Sequence, residues 1–135
     1  ENSAVVGFKE CVDWVEGDID AVAGKFDTVL QNPPFGVQKR SADRRFLDKA
    51  LQLGGSVYSL HNHPSFDKQL MGKLRAGGGQ VVQVEPDGFL QRFIEERGGR
   101  VEAVYALPLV IPRMFDFHTK AKQEIVVDLY IIKKR

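Results

Sequence analysis

The run FDTVLQN, residues 26–32, is short, apolar and β-branched, and it halts at two prolines, so it predicts a strand. Residues 41–55, SADRRFLDKALQLGG, change period. Phe46, Leu47, Ala50, Leu51 and Leu53 form one helical stripe, Ser41 stands where an N-cap belongs, and Gly54-Gly55 end the pattern. SVYSLH, 56–61, predicts a strand apolar enough to be buried on both faces. Residues 66–79 read as helical up to Gly77-Gly78-Gly79, and QVVQVEPDG, 80–88, as a short strand closed by a Pro-Asp-Gly turn.

FLQRFIEERGG, 89–99, predicts a helix with Phe89, Leu90, Phe93 and Ile94 on its apolar face. RVEAVYALPLVI, 100–111, and KQEIVVDLYIIKK, 122–134, predict two further strands. In the second, Ile125, Val127, Leu129 and Ile131 alternate with Val126, Asp128, Tyr130 and Ile132, which predicts two largely covered faces. ECVDWVEGDI, 10–19, reads as a short opening strand and a turn. Strands alternating with helices imply an α/β sandwich with a mostly parallel sheet. Residues 112–121, PRMFDFHTKA, are too short and polar for a crossover helix, so the last two strands should be antiparallel. The chain carries neither an internal repeat nor a low-complexity tract.

Composition narrows the classes. At 135 residues the chain is one domain's worth, long enough to bury a core. No apolar run approaches the roughly 20 residues that span a bilayer, and its opening residues lack a signal-peptide pattern. A soluble, cytoplasmic protein with no membrane partner is therefore expected. Cys11, the single cysteine, excludes an internal disulfide and reads as a small core residue. A net charge of +1 argues against a generic polyanion binder, so any nucleic acid must meet a local patch. Candidate patches are Lys39, Arg40, Arg44 and Arg45; Arg113, His118, Lys120 and Lys122; and the terminal Lys133-Lys134-Arg135. Each also has the ordinary reading of a solvated face.

The turn LQNPPFG, 30–36, carries the chemistry. Ligands of an open α/β sheet sit beyond the carboxyl ends of its strands, which is where this turn falls. The prolines fix their own φ and push the preceding residue into an extended conformation, so Asn32 and Pro33 are held rigidly. They also remove two N–H donors. The carbonyls and the Asn32 side-chain oxygen then form a set of acceptors that complements a planar amine. Phe35 can stack on the ring bearing that amine, and Gly36 permits close approach. The bland alternative is a rigid strand-ending turn with Phe35 in the core.

NPPF after FDTVLQ resembles the [DNS]-P-P-[YFW] motif of S-adenosylmethionine-dependent methyltransferases that modify exocyclic amino groups. Together with FLDKAL, VYSLH, FHTKAK and EIVVDLYII, it resembles the archaeal and eukaryotic methyltransferase-like proteins that make N6-methyladenosine in small-subunit ribosomal RNA. The resemblance runs from residue 1 to 135 and is interrupted around 66–88. It implies a Rossmann-like methyltransferase fold and that Asn32 and Pro33 bind the target amine, with Pro34 stiffening the turn. Phe35 would stack on a flipped-out adenine. Transfer would be direct and in line, needing no metal.

The resemblance further implies that Asp18 accepts the cofactor's adenine amine, that Ile19 packs on that ring, and that Asn32 also borders the cofactor. Lys39, Arg40, His61, Phe117, His118 and Lys120 would contact RNA, and a small zinc-containing activator protein is an implied partner. His61 and His63 have the spacing of a metal pair, but no third ligand accompanies them. Two departures stand out. The chain lacks the family's glycine-rich cofactor turn, for which Gly77-Gly78-Gly79 cannot substitute because it opens no helix in a β-α-β unit. It is therefore expected to be the C-terminal part of one methyltransferase domain, binding cofactor weakly alone. Residues 66–88 resemble an insertion that adds a hairpin or lid. Open alternatives are a DNA-adenine or protein-glutamine methyltransferase, or a non-catalytic RNA-binding fragment.

Overall fold

The computed structural model describes residues 11–33, 42–63, 68–76, 81–112 and 122–135. Its first unit is β1 (Phe26–Gln31), α1 (Ala42–Leu53) and β2 (Gly54–Asn62). β1 and β2 pair in parallel, with Val29 opposite Val57 and Gln31 opposite Ser59. Such pairing requires a crossover, and α1 supplies it. No residue separates α1 from β2: Leu53 is the last helical position and Gly54 the first of the strand. A Cβ at Gly54 would lie 2.8 Å from Val29 Cγ2, so only glycine permits this approach of β2 to β1.

There follow α2 (Lys68–Ala76), β3 (Val82–Gln83), α3 (Gly88–Glu96), β4 (Gly99–Pro112) and β5 (Lys122–Lys134). The sheet order is β1-β2-β5-β4-β3. β5 is antiparallel to β2 and to β4, and β3 is antiparallel to β4. The last pair is antiparallel as expected, but the sheet as a whole is mixed and mostly antiparallel, which corrects the expected parallel sheet. Only the β1–α1–β2 unit is a parallel crossover. β5 arrives beside β2 from the far end of the β4–β5 ladder and so runs against both neighbours. Residues 68–83 supply α2 and the edge strand β3, where a hairpin or lid was expected.

The described helices pack on one face of the sheet. Leu47, Ala50 and Leu51 of α1 and Ile94 of α3 meet Val57, Val104, Tyr130 and Ile132, while Leu70, Met71 and Leu74 of α2 meet Ala106. The opposite face carries Leu30, Tyr58, Leu60, Leu129 and Ile131, none of them buried. Leu30 is 76% exposed. On that face Val127 is buried and Tyr58, Leu60, Leu129 and Ile131 are half-buried, so the expectation that β2 and β5 have two covered faces holds fully for the helix-covered face and in part for the other. Alternation with apolar residues on both sides specifies a strand, but not what lies above each face.

Residues 12–18 form no strand, which corrects the expected opening strand. Trp14 and Val15 are exposed and Cys11 is exposed as well, so its expected place in the core is also corrected. An apolar run becomes a strand only where a neighbour takes its backbone groups, and none of the described strands flanks this one. Phe89 is exposed rather than on the apolar face of α3, with the Arg44 guanidinium 4.1 Å from its ring centroid. Asp87 caps α3 by accepting from the Leu90 amide at 3.0 Å, so the Pro-Asp-Gly turn is the helix start.

Candidate active site

Parallel pairing brings the carboxyl ends of β1 and β2 together. Asn32 follows the last residue of β1 with its side chain exposed, while Pro33 is buried. The β4–β5 ladder runs on past Asn62, which faces Val127, to Pro112 opposite Lys122, so it projects beyond β2 at this same end. Pro34, Phe35, Lys39, Arg40, Phe117, His118, Lys120 and the proposed cap Ser41 lie outside the described residues, as do the Lys122 side chain and Gly36.

Asp18 begins a short 3₁₀ turn, Ile19–Ala21, and its carboxylate accepts the Asp20 amide at 2.9 Å. The same oxygen takes a hydrogen bond from Arg45 of α1, which also donates to Asp20 at 2.9 Å. Arg45 thereby holds the Asp20 carboxyl below its ordinary value, the hydrogen bond contributing most and the guanidinium charge adding to it. Ile19 is half-buried beside this turn. A carboxylate next to an apolar side chain fits the amine edge and face of an adenine. Among the described residues nothing provides a cradle for the methionine part of the cofactor, so the fit is to its adenine end.

His61 is the residue whose position most changes its reading. It is 1% exposed, on the helix-covered face of β2 with Ser59, which is 0% exposed. Its Nε2 is 2.8 Å from Ser59 Oγ and its Nδ1 is 3.1 Å from Asp43 Oδ2, at the start of α1. The Gln31 side-chain amide of β1 donates to Ser59 Oγ at 2.9 Å. Proton placement follows from the donors available. Gln31 donates to the hydroxyl oxygen, the hydroxyl donates to Nε2, and Nδ1–H donates to the carboxylate. Burial pushes the Asp43 carboxyl up, but the His61 hydrogen bond, with a backbone hydrogen bond and the Arg44 charge adding to it, leaves Asp43 below its usual range.

Ser59, His61 and Asp43 share the order of an acyl-transfer relay. Ser59 is sealed inside the sheet and already accepts from Gln31, so no substrate carbonyl can reach it. His61, expected to contact RNA, has both ring nitrogens engaged inside the protein. Its ring also stands edge-on to Tyr130, centroids 5.2 Å apart. Burial pushes the Tyr130 phenol up to about 12, and its oxygen accepts the Asp87 amide at 2.8 Å.

His63 pairs separately, its Nδ1 lying 2.9 Å from Asp128 Oδ1 on β5. The two histidines thus face different carboxylates. Burial raises the Asp128 carboxyl above 3.8, and the His63 bond only partly offsets this. A raised folded value means the native state holds the proton longer than the unfolded chain does. That contribution is complete below the unfolded pKa and is lost as pH rises through the folded one. Asp128→Asn keeps an acceptor for His63 and removes the charge. Its urea midpoint should match the parent's near about pH 4 and exceed it near about pH 7. A midpoint difference that does not change with pH would contradict the assignment.

Asp43, Ser59, Gln31 and Asp128 were missed by the sequence reading. One signal was available: in YSLH, Ser59 and His61 share a face by strand period, and Asp43 sits in the first turn of the adjoining helix.

With a parallel β-α-β unit whose first strand runs into Asn-Pro, helices on the sheet, and an antiparallel last strand, the chain resembles the class I S-adenosylmethionine-dependent methyltransferases. Within that class it resembles rRNA N6-adenosine methyltransferases. The enzyme of that name from Drosophila melanogaster, Mettl5, is 31% identical over 126 residues, covering 88% of this chain and 49% of that protein. Its Danio rerio counterpart is 28% identical over 123 residues, 87% of this chain and 49% of the relative. An uncharacterized protein of Methanocaldococcus jannaschii is 37% identical over 106 residues, 78% of this chain and 39% of its own length.

The crystal structure of a candidate RNA methyltransferase from Pyrococcus horikoshii superimposes with a TM-score of 0.62 at 33% identity. That match covers 87% of this chain and 48% of the other. A Thermoplasma acidophilum structure shares the fold at 24% identity and a TM-score of 0.58, covering all of this chain and 63% of its own. No family model matches the chain. The chain spans about half the length of the curated relatives it matches, or less.

Proposed function

We propose that this chain carries the amine-binding part of a methyltransferase that modifies the exocyclic N6 amine of adenosine in RNA, small-subunit rRNA in particular. The observation that carries the reading is Asn32-Pro33 at the carboxyl end of β1, the asparagine exposed and the proline buried behind it. S-adenosylmethionine supplies the methyl group when bound. Asn32 and the Pro33 carbonyl accept the two amine hydrogens, which turns the nitrogen lone pair out of the amine plane toward the methyl carbon. Phe35 stacks on the base. Asp18 and Ile19 receive the adenine end of the cofactor. Lys39, Arg40, Phe117, His118 and Lys120 meet RNA phosphates and bases. No residue acts as a general base, because the nitrogen sheds its proton after transfer.

The half-length coverage of the relatives and the exposed outer edge of β1 support a further point. The chain works as the C-terminal part of a longer methyltransferase domain. The direct test is nucleoside mass spectrometry of rRNA from cells lacking the full-length gene. N6-methyladenosine should fall at one site by a whole equivalent and return with the intact gene. Unchanged N6-methyladenosine sinks the proposal.

A further inference from the structure

The Asp43–His61–Ser59–Gln31 chain joins the two elements that flank the motif, and we propose that His61 is a positioning residue holding Asn32 in fixed relation to α1. This rests on the methyltransferase reading above. Gln31, the last residue of β1, immediately precedes Asn32, and Asp43 is the second residue of α1. β2 lies between them in space and sends one side chain toward each. Through Ser59 Oγ, 2.8 Å from its Nε2, His61 reaches the Gln31 amide; through Nδ1, 3.1 Å from Asp43, it reaches the helix. Gln31 and Asp43, one on each side of the motif, are therefore tied to one imidazole.

Three observations make this more than a satisfied core histidine. Ser59 and His61 are fully buried, so water does not compete for these bonds, and each is stronger than its surface equivalent. Nδ1 faces the Asp43 carboxylate, which only accepts, so Nδ1 carries a proton; Nε2 is held by Ser59, so the ring cannot turn without breaking both bonds. Finally, α1 carries Arg45 two residues beyond Asp43, and Arg45 binds Asp18 and Asp20. The same helix that His61 fixes thus also fixes the acidic turn proposed to receive the cofactor. Asn32 and Asp18 are referenced to one rigid body, which is what an in-line transfer between two bound partners requires.

The test uses the full-length protein, with rRNA transcript and S-adenosylmethionine as probes. His61→Phe retains the ring packed on Tyr130 and loses both nitrogens. Its kcat should fall about 10-fold or more, with cofactor affinity and the KM for RNA within about 2-fold of the parent. Asp43→Asn, which still accepts from Nδ1–H, should keep most of the parent's kcat, whereas Asp43→Leu should behave as His61→Phe. Nitrogen-15 spectra of the unsubstituted protein should report a proton on His61 Nδ1 shielded from exchange, a readout that needs no variant to fold. An active parent whose His61→Phe and Asp43→Leu forms keep full kcat overturns the inference alone, as does a His61 with a bare Nδ1. A parent with no adenosine methylation overturns the inference and the function together.

Discussion

Asn32→Ala should reduce methyl transfer by the full-length protein on the order of 10²–10³-fold in kcat, while cofactor affinity stays near the parent's. In the proposed role the side-chain oxygen is the acceptor for an amine hydrogen, and alanine offers nothing in its place. The backbone should not move in compensation. Asn32 is exposed and Pro33 behind it is buried, so the substitution removes no core packing, and β1 remains paired to β2 through Gln31 and Ser59. The effect therefore belongs in kcat rather than in stability or cofactor binding. Asn32→Asp is the informative companion, because it keeps an acceptor at the same place and the motif class admits aspartate. It should retain more activity than Asn32→Ala. An Asn32→Ala enzyme with parental kcat would contradict the role assigned to this residue.

Gly99→Ala should be the most damaging single methyl addition among the described glycines, lowering stability by about 1–3 kcal/mol. A Cβ there would sit 2.7 Å from Ile94 Cγ2, 3.1 Å from Leu51 Cδ2 and 3.2 Å from Ile132 Cγ2. Those atoms belong to three buried residues on α3, α1 and β5, and two of them are β-branched, with little rotamer freedom to retreat. Its neighbour Gly98 is needed for a different reason. Gly98 has φ +82° where α3 ends, and a Cβ on it would meet nothing within 4 Å. Alanine there costs backbone strain of about 1–2 kcal/mol without disturbing the core. Denaturant midpoints separate the two. A second substitution, Ile94→Leu, which removes the Cγ2 branch, should recover part of the Gly99→Ala loss and none of the Gly98→Ala loss. Equal behaviour of the two variants would show that Gly99 is conformational rather than steric.

The elements were legible where one periodicity dominated. α1 and α3 carry helical stripes, and β2, β4 and β5 carry strand alternation, and these formed close to their expected bounds. The antiparallel last pair was legible from the short link between β4 and β5, but the direction of the sheet as a whole was not, because it depends on which neighbour each strand meets. The opening segment failed for a related reason. Val12, Trp14 and Val15 have strand composition, but composition does not supply a partner.

The site divides the same way. Asn32, Pro33 and His61 stood out because unusual residues sit at strand ends. The inward aim of His61 did not, since Tyr58 and Leu60 make the other face of β2 look as apolar as the one it occupies. Its partners could not be named in advance, because Asp43 and Gln31 come from different elements and meet His61 only through the fold. Asp18, expected to face the cofactor, proved to share its carboxylate with Arg45, a pairing 27 residues apart in the chain.

The direct passage from Leu53 of α1 to Gly54 of β2 makes chain length itself a constraint. A helix advances about 100° per residue and a strand reverses its side chains at every step, so the two phases are locked where they meet. One residue inserted at that junction would turn the Leu47–Leu51 stripe off the sheet, or else move Val57, Ser59 and His61 to the opposite face. A loop would absorb such an insertion, but here there is no loop. The 18-residue interval between Asp43 and His61 is therefore fixed by geometry, and tolerated insertions and deletions belong elsewhere in the chain.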